Sequence, residues 1–223
     1  MKITQLFSSK PYGWRLGAAA LWLTMLGGCE ILRPAVAVQP KYYALSATRD
    51  AATTVPTDLR ALAKAPTLIV SPPHAAAGFD SQRIMYLRQA DQLEYFAHSE
   101  WIDTPARMLA PLIVNAVESS GAFRAVVQTP SVATGEIRLD TEILRLQHEF
   151  LTAPSRVRFK LRAYLVDSRT RRVIATREFD TVIPATSEDP YGGVAAANRA
   201  VQTALHNLAT FCAEAMRSMP AGK

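Results

Sequence analysis

The residues of this chain that could do chemistry are few and scattered. Among 223 residues there are two cysteines, Cys29 and Cys212, and four histidines, His74, His98, His148 and His206. No two histidines stand at the short spacing that delivers a pair of metal ligands from one helix or hairpin. Two cysteines also exclude a disulfide scaffold and any multi-cysteine zinc or iron–sulfur site. The sequence carries no G-x-S-x-G, H-E-x-x-H, P-loop or dinucleotide-binding glycine pattern. Glu94, Glu100 and Asp103, close to Tyr95 and Trp101, could imitate a pair of catalytic carboxylates, but read better as solvated strand and turn positions. Cys212 falls on the apolar stripe of a C-terminal helix, where a thiol is buried and inert. The expectation is a protein that is not an enzyme, with no metal and no dissociable cofactor.

Cys29 is the exception. Lys2, Lys10 and Arg15 form a basic front, an apolar run spans Leu16 to Leu26, and Gly27, Gly28 and Cys29 follow. A membrane-spanning helix needs about 20 apolar residues, so this run has the length of a signal-peptide core. Leu26-Gly27-Gly28-Cys29 resembles the bacterial lipobox. Its small residues admit the peptidase, its thiolate takes a diacylglycerol, and the freed amino terminus receives an N-acyl chain such as palmitate. At about 0.8 kcal/mol per buried methylene, two or three chains anchor stably. Residues 1–28 are thus expected to be a lipoprotein signal peptide, 29–40 a lipid anchor and Pro-containing tether, and 41–219 a single domain. Glu30 is not the aspartate that retains lipoproteins at the inner membrane, which points to the outer membrane of a Gram-negative envelope, facing the periplasm. Half of the formal net charge of +6 belongs to the three basic residues of the leader. The compartment, rather than the charge, excludes nucleic acid as a partner.

Two groups of side chains could bind a partner. Arg156, Arg158, Lys160 and Arg162 alternate along one strand opposite Val157, Phe159 and Leu161, with Arg169, Arg171 and Arg172 in the turn beyond. They form either a docking surface for an acidic protein or anionic head groups, or a solvated sheet face that charge protects from edge association. Tyr86, Tyr95, Phe96 and Trp101 are dense in sequence, with Arg83 and Arg88 between them. Aromatic and arginine side chains so mixed are the composition of interface hot spots, and equally of cross-strand pairs covering a core.

The elements that must position these groups follow from periodicity. Strands are expected at 41–47, 67–71, 84–89, 93–98, 123–127, 157–165 and 173–183, with a hairpin turn at Gln89–Gln92 and another turn at Asp167–Thr170. Arg49–Ala65 reads as mostly loop. Ile137, Leu139, Thr141 and Ile143 alternate inward, then Leu144, Leu146, His148 and Phe150 on the opposite parity, which predicts a β-bulge near Ile143-Leu144. Thr104-Pro105 starts one helix, with Met108, Leu109, Leu112, Ile113, Ala116 and Val117 on its apolar face and Gly121 at its end. Asp189-Pro190 starts a long one with Val194, Asn198, Val201, Leu205, Leu208, Cys212 and Met216 as its buried stripe. The fold expected is α+β: an antiparallel sheet with two helices packed on one face.

In its order of features the chain resembles the ABC-type transport auxiliary lipoprotein family, which includes PqiC-like paraquat-inducible lipoproteins. The resemblance rests on Cys29 in its lipobox, Tyr42-Tyr43-Ala44-Leu45, Arg83-Ile84-Met85-Tyr86 and Leu93-Glu94-Tyr95-Phe96. Trp101-Ile102-Asp103-Thr104-Pro105-Ala106 and Gly121-Ala122-Phe123-Arg124-Ala125-Val126 continue it. It implies an outer-membrane lipoprotein that acts as a docking or accessory subunit of a trans-envelope lipid transport system. The implied partners are a periplasmic protein of the mammalian cell entry (MCE) class and an inner-membrane ABC-type or paraquat-inducible-type permease. Because MCE proteins form symmetric rings, a homo-oligomer is the matching arrangement. The alternatives are a periplasmic shuttle that binds phospholipid itself, and another envelope-assembly lipoprotein.

Overall fold

The computed structural model describes residues 39–46 and 59–218. The leader, Cys29 and the tether up to residue 38 lie outside the described residues, as do 47–58 and 219–223.

The thirteen residues of β7 (Ile137–Glu149) are the spine of the sheet. On one side β7 pairs antiparallel with β8 (Arg156–Asp167), and β8 with β9 (Val173–Pro184), as a meander. The register shifts between Ile143 and Arg145, so Leu144 is the extra residue of the expected bulge. Ile143 and Leu146 consequently both point inward although they stand three positions apart. The turn from β8 to β9 closes where the Thr170 amide donates to the Asp167 carboxylate at 2.6 Å, and Arg171 turns the chain with φ 58°.

The other side of β7 is shared by three short strands, all parallel to it: β2 (Thr67–Val70), β3 (His74–Ala75) and β4 (Arg83–Gln89). From here the sheet divides. One branch adds β6 (Ala125–Gln128) parallel to β2. The other adds β5 (Gln92–Trp101) antiparallel to β4 through the expected turn, with Asp91 at φ 63°, and then β1 (Lys41–Tyr43) parallel to the end of β5.

The α+β class is as expected, but the sheet is mixed rather than antiparallel throughout. Side-chain alternation reports which face a residue takes and is blind to strand direction. The one cue was β2 itself, whose four residues are all buried, the mark of an interior parallel strand covered on both faces. A second difference falls in Arg49–Ala65: its last residues hold a short helix, α1 (Leu59–Lys64).

Two longer helices close one core. The first, α2 (Pro105–Glu118), has Thr104 in extended backbone at its start, yet the threonine hydroxyl makes no capping bond. Instead Asp103 accepts the Thr104 amide at 2.7 Å and pairs with Arg107 at 3.3 Å across the first turn. Leu109, Ile113 and Val117 are fully buried, while Met108, Leu112 and Ala116 pack at the margin. The second, α3 (Pro190–Ser218), is capped by Asp189, which accepts the Gly192 amide at 2.7 Å. Val194, Val201, Leu205, Leu208 and Cys212 are buried as expected. Ala196, Ala197, Ala200 and Ala204 widen that stripe, and such short side chains let the helix lie close to β8 and β9. Asn198 uses its amide to hold β1's continuation, accepting the Ser46 amide at 3.0 Å.

Candidate interaction surface

The fold distributes the aromatic and basic candidates over four different places. The strand β8 basic residues form a ladder with carboxylates of both neighbours. Arg156 donates to Glu149 at 2.9 Å, Lys160 meets Glu178 at 2.6 Å, and Arg162 meets Glu178 at 2.6 Å and Glu142 at 3.4 Å. Arg158 Nε lies 3.3 Å from Asp180 without an aligned hydrogen bond, and its guanidinium reaches Glu149 at 4.0 Å. Lys160 and Arg162 hold the Glu178 carboxyl below the usual range. Arg156, Arg158 and Arg162 are therefore half-buried cations already neutralised within the sheet. Partly exposed pairs of this kind contribute little to stability, but they cancel the field an acidic partner would sense.

Trp101 is 2% exposed and packs in the core, so it is no part of a surface. The reason is a large irregularity in β5: Met85 pairs with Tyr95, but Arg83 pairs with Glu100, so β4 advances two residues while β5 advances five. Before it, even-numbered Glu94 and Phe96 point to the helix side with Tyr86. After it, odd-numbered Ser99 and Trp101 do. Strict alternation places Tyr95 and Trp101 together; the irregularity sends them to opposite faces.

Tyr95 accordingly stands on the face away from the helices, 49% exposed, with the Arg83 guanidinium 4.1 Å over its ring. Tyr86 stands on the helix side in a cluster of rings, 4.6 Å from Phe96 and 5.9 Å from Phe150. Arg88, one turn of alternation further along β4, is exposed and lies over both Tyr86 (5.4 Å) and Phe150 (5.8 Å). The Tyr86 hydroxyl donates to Glu94 at 2.8 Å, and that bond raises the phenol's pKa above its ordinary value. Glu94 is thus engaged with a tyrosine and Asp103 with Arg107, so the acidic residues of this stretch do not converge as a carboxylate pair.

Periodicity gave His148 an inward direction and no role. Its ring lies 4.1 Å from Phe150, beneath the first turn of α3. Nε2 shares a 2.7 Å hydrogen bond with Ser155 Oγ, and the Ser155 amide donates to Glu188 at 2.9 Å. Nδ1 is buried with no hydrogen-bond partner, pressed against Gly193, where an added Cβ would come within 2.5 Å of it. Burial lowers the His148 pKa, and the charges of Glu188 and Asp189 oppose that only in part. A Ser–His pair could suggest nucleophilic catalysis. Here Ser155 is fully buried and no carboxylate orients Nδ1, so the pair acts as packing between β7 and α3. The sequence signal for it was Gly192-Gly193 at a helix start, opposite an inward histidine.

Cys212 is buried and its thiol is pushed up to about 12 by desolvation. Among the described residues no group of three histidine, cysteine or acidic side chains could hold a metal ion. One surface cavity of about 460 Å³ is lined by Thr134, Gly135, Glu136, Asp167, Ser168 and Arg169, and another of about 170 Å³ by Pro72, Pro73, Ala106, Arg107, Ala110 and Gln128. The larger is polar and charged, unlike the lining an acyl chain requires. No described helix is long and apolar enough to cross a membrane.

Comparison with known proteins places this geometry. The family model described as ABC-type transport auxiliary lipoprotein component matches residues 43–209. No protein of curated function matches the sequence. Protein XCC0632 from Xanthomonas campestris, of family DUF330, is similar with a TM-score of 0.69 and 23% identity, covering 79% of this chain and 97% of its own. An uncharacterized protein of solved structure is similar with a TM-score of 0.61 and 12% identity, covering 78% and 98%. At these identities the two structures establish the shared fold.

Proposed function

Because the chain belongs to the ABC-type transport auxiliary lipoprotein component family, we propose that it is a non-enzymatic docking subunit of a trans-envelope lipid transport system. In this reading diacylglycerol and an N-acyl chain on Cys29 hold it in the outer membrane, and its domain faces the periplasm. There it receives a periplasmic MCE-class protein whose far end meets an inner-membrane permease. A symmetric ring of the subunit would match a ring-shaped partner.

The observation that supports docking is the helix-side cluster of Tyr86, Phe96 and Phe150 with exposed Arg88 laid over two of its rings. Rigid rings beside an exposed arginine offer the large, low-entropy contact area from which hot spots are made. The shuttle alternative would need an apolar pocket, and the polar lining of the larger cavity favours docking over carriage.

The test is recovery of partners from detergent-extracted membranes by the wild type and by a Tyr86→Ala, Arg88→Ala double variant. The wild type should capture an MCE-class protein and the variant at least about tenfold less, the loss expected of a two-residue hot spot. A wild type that recovers no MCE-class protein defeats the reading. The particle mass in the same extract decides the ring, since a monomer there removes it.

A further inference from the structure

The face of the sheet away from the helices has two chemically different halves. Over β8 and β9 it is the ladder of ion pairs described above. Over β1, β5 and β4 it is apolar and aromatic. Tyr42 and Arg83 both pair with Glu100, so they share one face, and Tyr43, paired with Trp101, takes the other. Ile102 continues the alternation past Trp101 on the side of Tyr42. Tyr95 joins them beneath Arg83, and Leu93 follows Tyr95 at the same parity. Tyr42 is 59% exposed, Ile102 60%, Tyr95 49% and Leu93 44%. Four large apolar side chains thus stand in solvent on one half of one sheet face. Exposed Arg83 lies among them, with Glu100 half-buried beside it.

We infer that this half-face, carrying Tyr42, Tyr95, Leu93 and Ile102 with Arg83, rests on the phospholipid head-group surface of the membrane. The inference rests on the reading of Cys29 as the lipid attachment site. Two observations select this occupant. The chain from Cys29 re-enters the fold at Lys41, the start of the strand that borders the patch, and roughly 12 residues of tether reach at most about 40 Å. The rim of the patch is therefore within reach of the bilayer. Its chemistry also fits that boundary. Tyrosine places an apolar ring at the acyl margin and its hydroxyl among head groups, isoleucine and leucine bury without polar cost, and Arg83 can pair with a phosphate. The ion-paired half of the same face offers no such surface. The helix-side cluster is left free for a protein partner.

The experiment uses the full acylated chain, its mass measured, in vesicles of phosphatidylethanolamine with a minority of phosphatidylglycerol. An environment-sensitive dye is placed by Tyr42→Cys, by Ile102→Cys, or by Val173→Cys at the start of β9, where Val173 is 57% exposed. Buried Cys212, its thiol pushed up to about 12, stays unlabelled. The dye at positions 42 and 102 should shift to the blue and lose most of its emission to nitroxide-bearing lipid, while the dye at 173 keeps it. Acylated protein whose dye at 42 and 102 stays in water overturns the inference and leaves the anchoring reading intact, and so does equal quenching at all three sites. Protein without the lipid mass overturns both. Disulfide-linked dimers of the unlabelled Tyr42→Cys chain would assign the patch to a second copy and overturn it as well.

Discussion

At the scale of single residues, burial decides roles that residue type leaves open. Trp101 and Tyr95 are both aromatic residues of β5, yet one is core and the other is surface. Trp101→Ala should therefore lower folding stability by about 3–5 kcal/mol, the cost of a large cavity, read from denaturant midpoints. An unchanged midpoint would show that the side chain is not packed as described. His148 makes a second prediction. Its folded pKa is depressed from 6.5, chiefly by desolvation, so below about pH 6.5 the unfolded chain binds more protons than the folded one. Stability is then fullest above pH 6.5 and falls as the pH drops from there toward the depressed folded value. His148→Gln, which keeps a polar group near Ser155, should flatten that part of the melting-temperature profile. A variant profile parallel to wild type between pH 7 and 5.5 would contradict it.

Among the elements, the two strand irregularities have different visibility. The bulge at Leu144 was legible because two long runs of apolar residues change parity across it. The irregularity in β5 was not, because Leu93 to Trp101 mixes aromatic, charged and polar residues on both parities and offers no run to interrupt. Helix α3 shows the same contrast. Its stripe was plain from the large side chains, but the fit of its first turn depends on Gly193 leaving room for the imidazole of His148. Gly193→Ala should cost about 1–3 kcal/mol, as overpacking does, with the largest loss of amide protection in the first turn of α3 and around Ser155. A neutral substitution would mean that α3 can stand further from β7.

For the whole molecule, the division of the sheet beyond β7 gives the domain two surfaces of use: an aromatic–arginine cluster on the helix side and an apolar half-face on the other. In the proposed reading, a subunit anchored to a membrane and docking a partner uses both at once. Everything here depends on the anchor, so Cys29→Ala should abolish incorporation of labelled palmitate. Labelling that persists in the variant would locate the lipid elsewhere.

The sequence by itself determined the α+β class, the order of the main strands and helices, and the bulge in β7. These are local matters, set by composition, by periods of two and 3.6, and by capping and turn residues within a few positions of one another. It also supplied the family, since that resemblance is an order of such local features. Only the tertiary structure decided that β2, β3 and β4 run parallel to β7, that Tyr86, Tyr95 and Trp101 part to three environments, and that the β8 arginines are neutralised by Glu149, Glu178 and Asp180. Strand direction, register and cross-strand charge are relations between residues distant in the chain. Alternation along one strand carries no information about which strand comes to lie beside it.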